Sequence, residues 1–134
     1  MGYILLIEDN KANADMTIHI LTSAGYTVQH FLRGLEGAQQ ARRVRPDLIL
    51  MDFDLPDVNG RSLTLVLKKQ LGGHTAPPVI AVTAKTGDYE MRIAEKFGCD
   101  AFVSKPFTPD QLLAVIEKML KSRAASAPPA APQA

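Results

Sequence analysis

The 134-residue chain predicts an α/β fold, a three-layer, doubly wound parallel sheet of five strands with helices on both faces. Three observations carry that expectation. Short, uninterrupted apolar runs such as Leu48-Ile49-Leu50-Met51 are too brief for helices and suit strands buried on both faces. Amphipathic stripes at helical spacing separate these runs in strict alternation. Each of the main runs also halts abruptly at a polar residue, several of them followed by turn formers. With 46% hydrophobic and 22% charged residues, the chain has the balance of one domain with a real core.

Tyr3-Ile4-Leu5-Leu6-Ile7 opens the alternation and ends in Glu8-Asp9. Asn10 is a suitable N-cap for a helix whose stripe is Ala14, Ile18 and Leu21, and Gly25 stops it. Tyr26 to Phe31 alternates with Thr27, Gln29 and His30, the pattern of an edge strand. The next helix, Gly34 to Val44, carries Leu35, Ala38 and Ala41, is weakened by Gly37, and closes on Arg42, Arg43 and Arg45, which suit a helix C-terminus.

The central run then reaches Asp52, with Phe53-Asp54-Leu55-Pro56-Asp57-Val58-Asn59-Gly60 after it. Leu63, Val66, Leu67 and Leu71 mark a third helix ended by Gly72-Gly73, and Gly72 to Pro78 is expected to be a mobile connection. Val79-Ile80-Ala81-Val82 ends in Thr83-Ala84-Lys85. Asp88 is expected to cap a helix running to about Phe97, with Met91, Ala94 and Phe97 inward. Ala101-Phe102-Val103 ends in Ser104-Lys105-Pro106-Phe107. Thr108-Pro109-Asp110-Gln111 has the form of a capping box with Pro at the first helical position, ahead of Leu112, Val115, Ile116, Met119 and Leu120. From Ser122 the composition turns to Ala, Pro and Ser, so the domain is expected over 1–121 and a disordered tail or linker over 122–134.

Composition excludes several function classes. Fifteen Lys+Arg against fourteen Asp+Glu give a net charge of +1, which offers no global field for direct nucleic-acid or membrane binding. The single Cys99 rules out an internal disulfide and a cysteine zinc cluster, and His19, His30 and His74 lack metal-ligand spacing. No apolar run approaches a membrane span and no secretory leader is evident, so a cytoplasmic protein is expected.

In the strand order 2-1-3-4-5, the flavodoxin-like order, the C-terminal ends of strands one, three, four and five share one pocket. Glu8, Asp9, Asp52, Thr83 and Lys105 would meet there. Two like charges about 4 Å apart repel by about 4 kcal/mol at an effective dielectric of 20, so clustered acids recruit a cation or rise in pKa. A hard divalent ion held by one or two carboxylates, a carbonyl and waters is a Mg²⁺ site with room for phosphoryl oxygens. Lysine and a hydroxyl complete a pocket for a phosphoryl group, with no glycine-rich nucleotide loop beside it. An aspartate can itself be the nucleophile of such a transfer.

These residues match, in type, order and approximate spacing, those of a known family: from Gly2 to about Lys121 the chain resembles the receiver domain of two-component response regulators, in a single-domain, chemotaxis-regulator-like form. The resemblance implies that Asp52 is the phosphoacceptor and that Asp9, Asp52 and the Asp54 backbone carbonyl ligate Mg²⁺, with Glu8 acting through water. It implies that Lys105 pairs with the phosphoryl oxygens and that Thr83 hydrogen-bonds the phosphoryl group, with Ala84 leaving access and the Phe53 N–H helping. A cis Lys105-Pro106 bond is implied as well. Phe102 occupies the aromatic switch position, an ordinary core aromatic being the other reading. Phosphorylation would then reshape the surface of the fourth helix, fifth strand and fifth helix. The implied partners are a histidine kinase or phosphotransfer protein upstream, and a protein target or detached output domain downstream. The module would not be an enzyme beyond weak self-catalysed phosphotransfer and autodephosphorylation.

Two positions depart from the common pattern. Acidic Asp54 stands two residues past the acceptor and Lys85 two past the hydroxyl. They are expected either to meet over the pocket mouth and tune hydrolysis, or to be two solvated charges. Other functions stay open. Asp52-Phe53-Asp54 imitates the Asp-x-Asp of haloacid dehalogenase-type Mg²⁺-dependent phosphatases, although Leu55-Pro56 does not fit them. A flavin carrier on the same fold lacks its hydroxyl-rich phosphate loop here. The chain could also be a receiver fragment of a larger hybrid kinase or regulator.

Overall fold

Residue parity along the central strands decides which helix covers which face. The structure, a computed structural model, describes residues 2–55, 57–85 and 87–126. Five parallel strands, β1 (Ile4–Ile7), β2 (Val28–Phe31), β3 (Leu48–Asp52), β4 (Val79–Thr83) and β5 (Ala101–Ser104), pair in the order β2-β1-β3-β4-β5. Successive side chains point to opposite faces. Leu5, Ile7, Ile49, Met51 and Ala81 therefore enter one core with Ala38, Ala41, Leu63, Leu67 and Ala94. Ile4, Leu6, Leu48, Leu50 and Ile80 enter the other, with Ala14, Leu21, Leu112 and Ile116.

The helices follow from those contacts. α1 (Lys11–Ser23) and α5 (Pro109–Ser126) cover one face, and α2 (Gly34–Arg43), α3 (Gly60–Gln70) and α4 (Asp88–Lys96) the other. Asn10 caps α1 by accepting from the Asn13 N–H at 2.9 Å. The capping box of α5 is reciprocal: Gln111 N–H donates to Thr108 Oγ1 at 3.1 Å, and Thr108 N–H to Gln111 Oε1 at 2.9 Å. Gly37 costs α2 helical propensity, but a Cβ there would lie 2.6 Å from the Ile7 side chain, so the glycine lets α2 sit directly on β1.

Several expectations need correction. The Gly72–Pro78 connection holds a 3₁₀ turn at Gly73–Thr75, and Arg45 donates to the carbonyls of Leu71 and Thr75, so it is tied down rather than loose. Arg42 likewise reaches Gln70 Oε1 at 3.0 Å. Asp88 does not cap α4: Gly87 is the N-cap, with no side-chain bond, and Asp88 is the first helical residue, where its charge suits the helix dipole. Met91 is exposed rather than inward. β2 begins at Val28, two residues later than the alternation suggested. α5 continues to Ser126, beyond the Ser122 boundary, because alanines extend a helix without needing a buried face. The tail expected to be disordered, 127–134, lies outside the described residues. Among the described residues no helix is long and apolar enough to cross a membrane.

Candidate functional site: an acidic pocket with one lysine

The sheet register brings the strand ends level with one another. Ile7 pairs with Met51, Asp52 with Val82, and Thr83 with Ser104. Glu8 and Lys105 each follow the last residue of their strand. Carboxylate oxygens of Glu8, Asp9 and Asp52 consequently lie within 4.8 Å of one another. Lys105 Nζ stands 3.1 Å from Glu8 Oε1 and 3.5 Å from Asp52 Oδ2. The Lys105–Pro106 peptide bond is cis.

Asp52 and Glu8 are buried, at 3% and 4% exposure, whereas Asp9 faces solvent. Burial, followed by the contact with Glu8, pushes the Asp52 carboxyl up to about 6, against the opposing pull of the Asp54 N–H and Lys105. Lys105 loses solvation too, but the charges of Asp52 and Glu8 outweigh that loss and hold its pKa above the usual lysine value. Three acids and one base leave the pocket short of positive charge. A small, hard divalent ion fits that donor set: Glu8 is engaged by Lys105 and by the Asn10 N–H at 3.2 Å, Asp52 by the Asp54 N–H at 2.9 Å and by Lys105 at the longer distance of 3.5 Å, and Asp9 opens to solvent.

The chain just after Asp52 is ordered by its own backbone. Asp54 N–H donates to Asp52 Oδ1 at 2.9 Å and fixes the carboxylate's rotation. Gly60 closes the loop, since a Cβ there would lie 2.9 Å from the Phe53 Cα and 3.0 Å from the Asp52 carbonyl oxygen. Asn59 caps α3 through the Arg61 and Ser62 N–H groups. Thr83 is buried, and its Oγ1 accepts from the Lys85 N–H at 3.1 Å, which leaves the hydroxyl proton available for donation.

Three further expected features are placed as follows. Phe53 N–H donates to the Val82 carbonyl at 3.2 Å and extends the β3–β4 ladder, so it is spoken for in this state. Asp54 and Lys85 are both exposed, and no ion pair joins them. Phe102 is half-buried on β5, packs against the core shared with α2, α3 and α4, and lines a groove with Met91, Ala94, Val115 and Met119 between α4 and α5.

Sequence reasoning missed three features around the pocket. Asp57 accepts from the Gly34 and Leu35 N–H groups at 3.0 and 3.1 Å and so caps α2 from a distant loop. Arg61 donates to Glu90 at 2.6 Å while its guanidinium lies 5.8 Å from the Phe53 ring centroid, joining α3 to α4. An apolar cleft of about 360 Å³ runs inward from the acids past Met16, Leu50, Val82 and Phe107. Only the first left a trace in the sequence: Arg33, at the N-cap of α2, is not a capping residue type.

Comparison with known proteins agrees with this arrangement. The family model for the response regulator receiver domain matches residues 4–117. The polar-differentiation response regulator DivK of Brucella anthropi is 39% identical over 119 residues, which cover 87% of this chain and 94% of DivK. The transcriptional regulatory protein CreB of Escherichia coli K12 is 32% identical over 118 residues, 88% of this chain but only 50% of CreB. The receiver domain of the sensor histidine kinase PA1611 from Pseudomonas aeruginosa, solved with magnesium in its active-site cleft, superposes with a TM-score of 0.81 at 32% identity, covering 90% of this chain and 98% of that one. Family match, fold and pocket coincide, and the chain belongs to the response regulator receiver domain family.

Proposed function

We propose that this receiver takes a phosphoryl group from the phosphohistidine of a kinase or phosphotransfer protein onto Asp52. The observation that carries the reading is the meeting of Glu8, Asp9, Asp52 and Lys105 at one strand edge. An Asp52 carboxylate oxygen attacks phosphorus, the P–N bond breaks, and the imidazole nitrogen leaves with its electron pair. The product is a mixed anhydride on Asp52. Lys105, released from part of its pairing with the acids, neutralises phosphoryl oxygens. Asp9, Asp52 and the Asp54 carbonyl would hold Mg²⁺, with Glu8 behind a water, and the ion supplies further neutralisation of the same oxygens.

Thr83 then donates its hydroxyl proton to the phosphoryl group. Its movement gives Phe102 room to turn inward and alters the groove between α4 and α5, so that output proceeds by protein contact. Phosphorylation biases two existing states through its different affinity for each. Asp54 and Lys85, exposed and not paired with one another, fit the reading of two solvated charges better than that of a pair meeting over the pocket to tune the attack of water. The module belongs to a cytoplasmic two-component pathway, with no direct part in nucleic-acid binding.

The test is to offer a small phosphodonor with and without Mg²⁺ to the wild type and to Asp52→Asn. A base-labile phosphoryl adduct that needs both Asp52 and Mg²⁺ is expected. Steady turnover of a phosphate monoester would favour a phosphatase instead.

A further inference from the structure

We propose that Asp57 is a positioning residue for the acceptor site: by clasping the N-terminus of α2 it fixes the β3–α3 loop, and with it the Asp54 backbone that borders Asp52. The inference rests on the reading of Asp52 as phosphoacceptor beside a divalent ion.

The loop from Phe53 to Asn59 has to be held in place to serve as part of a metal site, and short irregular backbone is the least rigid part of a domain. Its two ends are fixed: Asp54 N–H is bonded to Asp52 at the start, and Asn59 caps α3 at the finish. Its middle hangs on α2. There Asp57 Oδ1 and Oδ2 receive the Gly34 and Leu35 N–H groups separately, a two-point attachment that specifies orientation as well as distance.

Apolar contacts flank the same point. A Cβ on Gly34 would lie 2.5 Å from Val58 Cγ2 and 3.0 Å from Leu55 Cδ1, so these two side chains rest on a bare α-carbon. Arg33 gives α2 no side-chain cap of its own. Helix and loop thus depend on each other: α2 obtains its cap from the loop, and the loop obtains its anchor from α2. Contacts one step removed from a metal site set its affinity by holding the ligands in place.

The experiment compares wild type, Asp57→Ala, Asp57→Asn and, as a destabilised control remote from the loop, Ile116→Val. Two quantities are read below each melting temperature: amide exchange of Asp54 without metal, and the Mg²⁺ dissociation constant from amide chemical shifts. In Asp57→Ala, Asp54 exchange is expected to speed up and Mg²⁺ affinity to fall roughly tenfold, the low end of the effect of losing an outer contact. Asp57→Asn, which keeps one acceptor oxygen and sets an NH2 donor against the other N–H, loses one of the two attachments and is expected to fall between wild type and Asp57→Ala in both, and Ile116→Val changes neither. If Asp57→Ala lowers only the melting temperature and leaves Asp54 exchange and Mg²⁺ affinity as in wild type, Asp57 is a helix cap and nothing more. If Asp57→Ala does not fold, Asp57→Asn carries the test: faster Asp54 exchange together with weaker Mg²⁺ binding upholds the inference, and an Asp57→Asn protein that matches wild type in either quantity overturns it. Wild type that binds no Mg²⁺ near Asp52 removes the acceptor reading itself, an outcome distinct from any difference among the variants.

Discussion

Lys105 Nζ lies closer to Glu8, at 3.1 Å, than to Asp52, at 3.5 Å. The lysine is therefore shared, and Asp52 is only partly neutralised. In the proposed transfer that division would keep Asp52 usable as the nucleophile, because a tightly paired carboxylate would have to break a short ion pair before attacking.

Removing the lysine should expose the repulsion it offsets. In Lys105→Ala without metal, the Asp52 carboxyl is expected to titrate above the wild-type value of about 6. Phosphorylation by a small donor should slow by roughly 10- to 100-fold, the equivalent of one charge-assisted contact. Carboxyl-carbon chemical shifts over a pH series in EDTA, and initial rates at saturating Mg²⁺, measure the two effects. An unmoved titration would show that Glu8 alone absorbs the lysine's charge.

Asp52 also predicts how stability depends on pH. Its folded-state pKa is raised from 3.8 to about 6, so between those values the native state holds more protons than the unfolded chain. Stability contributed through this group is therefore greatest at low pH and declines as pH rises through about 6. In metal-free protein at pH 7, Asp52→Asn should be more stable than wild type by about 1–3 kcal/mol, and the gain should vanish near pH 4. Urea unfolding in EDTA at the two pH values checks this. Mg²⁺ should stabilise wild type and leave the variant nearly unaffected.

The strand order and the pocket were legible because burial on both faces writes continuous apolar runs, and because the runs of β1, β3, β4 and β5 end at or beside the polar residues gathered at one sheet edge. Glu8, Asp52, Thr83 and Lys105 could be placed for that reason. Side-chain contacts between elements far apart in the chain leave no such periodicity. Nothing local to Asp57 indicates Gly34, 23 residues away, and nothing local to Arg61 indicates Glu90, 29 residues away. The Phe53 N–H adds one more bond to the β3–β4 ladder beyond Asp52, a pairing that no pattern of apolar residues marks.

Gly60 offers the sharpest test of how rigid the acceptor loop must be. A Cβ at this position would approach the Phe53 Cα to 2.9 Å and the Asp52 carbonyl oxygen to 3.0 Å. Both are backbone atoms and neither can rotate away, so Gly60→Ala has to shift either the start of α3 or the chain just after the acceptor. Overpacking of this kind costs about 1–3 kcal/mol, more than the small helical gain of alanine over glycine. Lower stability in urea is expected, together with faster exchange of the Asp54 amide as its bond to Asp52 Oδ1 is strained. Ile116→Val, in the core on the opposite face of the sheet from α2 and α3, separates packing from siting. It should lose stability while leaving Asp54 exchange and phosphorylation rate as they were. A Gly60→Ala protein that phosphorylates at the wild-type rate would mean that the loop tolerates displacement, and that the side chains of Asp9, Asp52 and Lys105 suffice without a fixed backbone between them.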